Sequence, residues 1–328
     1  MKEIKSSDDI REIANAFRES RILLSAIELN IFSVIDKHLI PAEEISNKIN
    51  TDIRATDRLL NALCAMGLLK KVKGKFYNSD LASKYLVKDK PDFMGNLFHT
   101  NHLWNSWSNL TESVKTGVSL KREQTTEEKH NWTESFIEAM HYRGVNQGKI
   151  MAMMIDLSNI KTMLDVGGGS AAFSIEIVKK NPSIKATVLD LPQVIPITKK
   201  YVAAEGLINN FSFVEGSYFS IDFKSKYDLI LLSAIIHINS YEQNKMLISK
   251  CADMLNNNGV LVINDFIMSE DRTKPYYGTL FALNMLVGTA NGDTYTEKEI
   301  REWFESAGLS KIERKNTSFG SDLMIAYK

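Results

Sequence analysis

Cysteine is nearly absent from this chain: Cys64 and Cys251 are the two in 328 residues. That count argues against a disulfide framework. Each cysteine falls inside a helix-like apolar pattern, so both read as buried small hydrophobes in a reducing cytoplasm. An excess of either charge is also missing. Lys plus Arg and Asp plus Glu each total 40, and no block of like charge stands out. Neither nucleic acid nor an anionic membrane is therefore the expected partner. No apolar run of about 18 residues occurs, and the opening MKEIKSSDDIREIANAF contains no apolar signal core. A membrane span and a secretory signal are not expected, and the cytoplasm is the expected location. Internal repeats and low-complexity tracts are lacking too.

What is present is a globular composition, 44% hydrophobic and 24% charged, in a chain long enough for two domains. Residues 1–95 are mainly helical. AIELNIFSVIDKH is amphipathic, and the stretch from Ile40 to Val72 holds two helical patterns split near Asn50 to Ile53. LLKKVKGKFYNS then reads as a hairpin turning at Lys73-Gly74. Helices followed by a β-ribbon make a winged-helix arrangement. Its helices are not especially basic, and their apolar content exceeds the needs of one small core. A dimer-forming role is expected ahead of DNA binding, which is the alternative. Residues 91–155 are helical and aromatic. Trp104, Trp107, Phe136 and Met140 are candidates for a ligand pocket, with plain helix packing as the alternative. His99 and His102 lack a companion carboxylate or cysteine set, so no metal is expected.

From Lys161 onward strands alternate with helices. Strands are expected at 161–166, 185–190, 211–215, 227–233, 259–266, 309–315 and 322–327. Helices are expected near 170–180, 192–205, 241–256, 275–290 and 296–307. This alternation predicts a parallel α/β sheet covered on both faces, with residues 96–328, a helical linker followed by the sheet, forming one larger domain. TSFGS, between the last two strands, is too short for a parallel crossover, so those strands form an antiparallel hairpin.

The sharpest local signal is MLDVGGGSAAF. A strand, three glycines and a helix bring backbone close to whatever sits at the helix N-terminus. Gly167-x-Gly169-x-x-Ala172 satisfies a loose dinucleotide pattern, so a NAD-linked oxidoreductase is one reading. Asp165, just before the bend, favours S-adenosylmethionine instead. A carboxylate repels a pyrophosphate but tolerates an ammonium and a sulfonium. Asp190, which ends the second strand, suits the ribose of either cofactor. The terminal hairpin does not fit a complete six-stranded dinucleotide fold. At the end of the fourth strand, where catalytic groups gather in open α/β sheets, stands His237.

LDVGGGSAAF, LDLPQVI, VEGSYF, DLILLSAIIHINS, NNNGVLVINDFI and NGDTYTEKEIREWFESAGL occur in one order, after AIELNIFSVI, LLNALCAMGLLKK and SFIEAM. In this the chain resembles the class I S-adenosylmethionine-dependent O-methyltransferases of the plant caffeate and acetylserotonin type and their microbial relatives. The resemblance covers nearly the whole chain. It implies a Rossmann-like seven-stranded sheet, preceded by a winged-helix dimerisation domain in a homodimer, and a small aromatic methyl acceptor. It also implies that Gly167 and Gly169 cradle the methionine end of S-adenosylmethionine, that Asp190 holds the ribose beside Leu191, and that Ser217 and Tyr218 lie at the adenine. Ser217 replaces the usual acid, Ser233 stands where many relatives carry lysine, and Ala171 replaces a glycine, which suits alanine while the backbone stays in an ordinary region.

His237 matches the family's general base and Asp265, 28 residues on, its orienting acid, usually a glutamate. The shorter aspartate leaves their contact direct, bridged or missing. A second family glutamate falls on Thr294, and HIN replaces HDW; a carbon or nitrogen acceptor is the alternative reading these departures leave. Phe281, Asn284 and Met285 lie on the helix expected to line the acceptor pocket.

Overall fold

A computed structural model describes residues 3–120, 126–221 and 225–328, with no side chain described for 126–132 and 135. The chain divides into two compact units, Met1–Leu103 and Trp104–Lys328.

In the first unit, helices Phe17–Glu28, Ile31–Ile35, Ala42–Ile49 and Ile53–Ala65 precede a ribbon of Leu69–Val72 and Lys75–Asn78. The ribbon turns at Lys73-Gly74 with φ of 48° and 76°, the double positive-φ turn whose twist matches paired strands. AIELNIFSVIDKH is not one continuous helix. Asn30 adopts a left-handed conformation (φ 56°) and redirects the chain, so that Ile31, Phe32 and Ile35 enter the core with Ile45, Leu60, Leu63 and Phe76. The buried Asn78 amide then donates to the Phe32 and Asp36 carbonyls at 2.8 and 3.1 Å. Ahead of these lies helix Ser7–Asn15, which starts with a Ser6/Asp9 capping box and buries none of its residues.

The second unit is built on a seven-stranded sheet, here numbered β1 (Thr162–Val166), β2 (Lys185–Asp190), β3 (Phe211–Glu215), β4 (Tyr227–Ser233), β5 (Leu255–Asp265), β6 (Ser310–Asn316) and β7 (Asp322–Tyr327). Their spatial order is β6-β7-β5-β4-β1-β2-β3, with β7 antiparallel to both neighbours and β1 to β5 parallel. Alternation of side chains assigns the two faces. Leu164, Ile230, Leu232, Leu261 and Ile263 pack against Leu247, Ile248, Trp303 and Phe304 on one side. On the other, Met163, Val188, Leu229, Leu231 and Val262 meet Met151, Ile175, Val178 and Val202. Cys251 is fully buried in the first cluster, where desolvation pushes its thiol up to about 12. Cys64 is half-buried.

The hairpin expected from TSFGS is present, with Asn316 paired to Asp322. β5 begins earlier than the sequence pattern indicates, at Leu255 rather than 259, because Tyr227 and Leu255 already pair across a register shift before the regular ladder starts. The order of the strands reverses at β1. The first crossovers run outward to β2 and β3, and the next begins again on its other side with β4. The crevice outside the carboxyl ends of β1 and β4 is where such a reversal leaves room for a ligand.

Candidate active site

The glycine bend leaves β1 at Val166. Gly167 and Gly169 have φ of 65° and 57°, where a side chain is strained. The groups that press closest on this backbone are the protein's own. A Cβ on Gly167 would overlap Ile235 Cδ1, and one on Gly168 would lie 2.8 Å from both Asp165 Cγ and Val188 Cγ1. Ala171, which begins the next helix, is also left-handed (φ 62°), so it does not keep the ordinary backbone that its replacement of glycine presumes. The reason lies in the bend itself: the Ala171 N–H turns back to the Gly168 carbonyl at 2.8 Å while the Ala171 carbonyl accepts from Ile175.

Asp190 ends β2 across from the bend. Its Oδ2 accepts from the Gly169 N–H at 2.8 Å and its Oδ1 from the Leu191 N–H at 2.7 Å. Burial raises its pKa, and these two N–H groups oppose the shift. Asp165 is fully buried behind Gly168, with the Ser174 hydroxyl donating to it at 2.6 Å. Desolvation, and to a smaller extent the charge of Asp190, pushes its carboxyl up to about 7.

On the opposite lip, Ala234 (φ 57°) turns the chain out of β4 into a single 3-10 turn, Ile236–Ile238. His237 lies in this turn, 8% exposed, and its Nδ1 sits 2.9 Å from both Asp265 oxygens. The aspartate thus reaches the ring directly. An ionised carboxylate can only accept, so Nδ1 is the donor, and in a neutral imidazole Nε2 is then the acceptor. The Phe281 ring packs against His237 in a T-shaped arrangement at a centroid distance of 4.7 Å.

The turn itself is held by groups with no obvious local signature. Asn244 Nδ2 donates to the Ile236 carbonyl at 2.7 Å, and Asn239 Nδ2 donates to Asn244 Oδ1 at 3.1 Å. The Tyr295 hydroxyl donates to the Asn239 carbonyl at 2.5 Å and the Tyr218 hydroxyl to the Asn239 side chain at 2.9 Å. HIN in place of HDW therefore supplies a buried amide that ties the histidine turn to the loop after β3. That loop is further clamped by Lys250, whose ammonium donates to the carbonyls of Tyr218, Phe219 and Ile221. Thr294, at the position of the family's second glutamate, is buried, and the neighbouring Asp293 accepts from Arg272 at 3.4 Å and from the Thr294 N–H. Among the described residues Asp265 is the carboxylate hydrogen-bonded to His237.

Gly292 packs against the same turn, and a Cβ there would overlap the His237 carbonyl oxygen. Gly292→Ala is expected to cost about 1–3 kcal/mol of stability and to lower kcat more than it changes cofactor affinity. Unfolding curves and steady-state kinetics check both; an unchanged kcat would dissociate this glycine from the placement of His237.

The O-methyltransferase domain family matches residues 112–310, and its dimerisation domain matches residues 11–88. The chain belongs to the O-methyltransferase family. It is similar to a 3-hydroxy-5-methyl-1-naphthoate 3-O-methyltransferase of Streptomyces sahachiroi, with 29% identity across 92% of this chain and 89% of the relative. Among solved structures, PigF with SAH (S-adenosylhomocysteine) superposes with a TM-score of 0.90 at 22% identity, covering 99% of this chain and 100% of that one. Human N-acetylserotonin methyltransferase in complex with S-adenosylmethionine gives 0.83 at 23%, covering 100% and 99%.

The protein is thus an S-adenosylmethionine-dependent O-methyltransferase, which decides between the two cofactors that the glycine bend admits. The residues present fit that donor. Two carboxyls, Asp165 and Asp190, face one bend, and the Gly167, Gly169 and Ala171 N–H groups already have partners within the protein. Such a site offers little to a pyrophosphate and favours a cation. The dimerisation domain supports a homodimer. Among the described residues no helix is long and apolar enough to cross a membrane, and no group of three His, Cys, Asp or Glu residues is placed to hold a metal.

The remaining candidates lie on several elements. Leu191 is 44% exposed at the tip of β2, and Ser217 accepts from the Phe219 N–H at 3.3 Å in the loop after β3. Ser233, at the end of β4, accepts from the buried Asn264 amide at 2.9 Å, and Asn264 in turn accepts from Ser321 in the terminal hairpin loop at 2.8 Å. In helix Tyr276–Gly288, Phe281 meets His237, Met285 is buried, and Asn284 accepts from Trp107. Trp104 and Met140 are half-buried, each on a helix of its own. Asn239, Asn244, Tyr295, Lys250 and Gly292 were not singled out by the sequence; the change from HDW to HIN was the one available pointer.

Proposed function

We propose that His237 is the general base for methylation of a hydroxyl on a small aromatic molecule. The observation that carries this reading is the buried imidazole with both Asp265 oxygens at 2.9 Å from Nδ1, at a strand end beside the glycine bend. S-Adenosylmethionine supplies an already activated methyl carbon. What remains for the protein is to align the acceptor and take its proton. Asp265 keeps Nδ1 protonated and the ring fixed; Nε2 accepts the hydroxyl proton, and the carboxylate stabilises the imidazolium that forms. Phe281 and Met285 provide apolar walls suited to an aromatic ring, and Trp104 and Met140 belong to the same lining. The naphthoate substrate named for the Streptomyces sahachiroi relative supports that class of acceptor.

For the cofactor, Gly167 and Gly169 hold the methionine end, and Ser233 lies at its amino-acid terminus. Asp165 lies behind the bend, where a bound cation favours its ionised form. Asp190 accepts from the ribose hydroxyls with its remaining lone pairs, Leu191 covers the sugar, and Ser217 and Tyr218 border the adenine. Asp190→Ala is expected to weaken S-adenosylhomocysteine binding on the order of 10- to 100-fold, since hydrogen bonds to a charged group are lost. Titration calorimetry reads this directly, and unchanged affinity would remove Asp190 from the site. The exposed Ile10, Ile13 and Phe17 are covered in the homodimer.

A further inference from the structure

Helix Thr126–Met154, which precedes the sheet, packs against the glycine bend along one face. Ile137, His141, Gly144 and Gly148 recur at steps of four, three and four residues, which places them on that face. The two glycines allow a close approach to the start of helix Ala172–Lys180. A Cβ on Gly144 would lie 2.8 Å from Ala172 Cβ, and one on Gly148 would lie 3.1 Å from the Ala172 carbonyl oxygen. Ile137 Cδ1 stands 3.6 Å from where a Cβ on Gly169 would be. The polar member of this face is His141. Its Nδ1 is 3.0 Å from the buried Ser170 hydroxyl, and its ring stacks on Tyr201 with centroids 3.8 Å apart. A hydroxyl rotates to donate or to accept, so the bond forms with either neutral tautomer. Desolvation holds the His141 pKa below the ordinary imidazole range, which keeps the ring neutral at pH 7.

Other elements fasten the neighbouring residue of the bend. Asp190 accepts from the Gly169 N–H at 2.8 Å, and the buried Thr198 hydroxyl donates to the Gly169 carbonyl at 2.6 Å. Thr198 and Tyr201 are three residues apart on helix Ile195–Ala204, so that helix holds Gly169 with one side chain and backs His141 with the other. Gly167, Gly169 and Ala171 all have positive φ, and a glycine-rich stretch in that region has little stiffness of its own. We infer that His141 is a positioning residue for cofactor binding: through Ser170 it ties the helix ahead of the sheet to the bend and fixes the backbone on which the methionine end of S-adenosylmethionine sits. The inference rests on the proposed seat at Gly167 and Gly169 and names a residue, outside that seat, that keeps it formed before the cofactor arrives. A seat already in place spares the bound state the cost of ordering it. Loss of the imidazole leaves a buried hydroxyl without this partner and releases the bend on the side where Asp190 and Thr198 do not reach.

The test is calorimetric titration of the intact protein with S-adenosylhomocysteine, with urea unfolding of each variant alongside. His141→Leu is expected to weaken binding by about 10-fold. His141→Asn, whose amide places a polar atom where Nδ1 stands, recovers most of that loss. Ser170→Ala weakens binding by about the same factor, and the double variant His141→Leu/Ser170→Ala binds no more weakly than either single one, because both changes remove one bond. A merely structural role would lower the unfolding midpoint and the fraction of protein that binds, and would leave the dissociation constant of the folded fraction where it was. An unchanged dissociation constant in His141→Leu, or losses that multiply in the double variant, overturns the inference. Asp190→Ala separates the two readings. Weakened binding there with none in His141→Leu removes the role of His141 alone, whereas unchanged affinity in both removes the proposed seat and this inference with it.

Discussion

His237→Ala is expected to lower kcat on the order of 10²- to 10⁴-fold while S-adenosylhomocysteine affinity stays within about threefold of wild type. The split follows from where the imidazole sits. Its Nδ1 is engaged by Asp265, which leaves Nε2 for the acceptor in the proposed reaction, and the glycine bend and Asp190 belong to other elements. Two further results distinguish a base from a merely structural residue. The deficit should shrink for acceptors that ionise without help, so a nitrophenol loses less than an alkylphenol. Asp265→Ala should cost on the order of 10²-fold by itself and almost nothing more once His237 is gone, because the carboxylate acts through the ring. A kcat that barely changes in His237→Ala with an alkylphenol would remove the base assignment and leave proton loss to solvent or to the acceptor itself. Folding must be checked alongside: deletion of the ring leaves Asp265 buried with, among the described residues, only the Phe266 N–H as partner, a destabilising residue in its own right.

The second large effect concerns stability. In the cofactor-free protein, Asp165 holds its proton up to about pH 7 because the carboxyl is desolvated and lies near the charge of Asp190. In the unfolded chain it ionises near 3.8. Between these values the folded state binds the extra proton, so stability is fully present at low pH, falls as pH rises through the window, and levels off above 7. Over pH 5 to 7 this single group removes about 2 kcal/mol, at no more than about 1.4 kcal/mol per pH unit. Asp165→Asn abolishes the titration, and the Ser174 hydroxyl can still donate to the amide oxygen. The stability difference between variant and wild type should therefore shift in favour of the variant by that amount from pH 5 to 7 and change little more to pH 8. Urea unfolding at each pH measures it. Parallel pH profiles for the two proteins would mean that Asp165 is already ionised in the fold.

Much of this molecule is written locally. The seven strands follow from short β-branched runs bounded by turn residues, and TSFGS alone dictates the closing hairpin. LDVGGG followed by a helix marks the bend, and strand-end positions single out Asp190, His237 and Asp265. These features depend on the period of side-chain alternation and on backbone freedom within a few residues, which a sequence expresses directly. Asn30 shows the limit even there, since the apolar period runs through a break that one left-handed residue creates.

What tertiary structure alone decided is which side chains meet and from which side. A shortened acid reaches His237 because β4 and β5 are adjacent and in register, with Ser233 opposite Asn264. The glycines at 167 and 168 are required by Ile235, Asp165 and Val188 of the protein itself. Asn244, Tyr295 and Gly292 converge on the histidine turn from separate elements, and an indole 177 positions away fixes the direction of the Asn284 carboxamide. Such contacts carry no periodic signature. Their geometry is set by how the helices pack on the sheet, and an amide or a carboxyl acquires its direction and its proton affinity only when that packing brings a partner or excludes water.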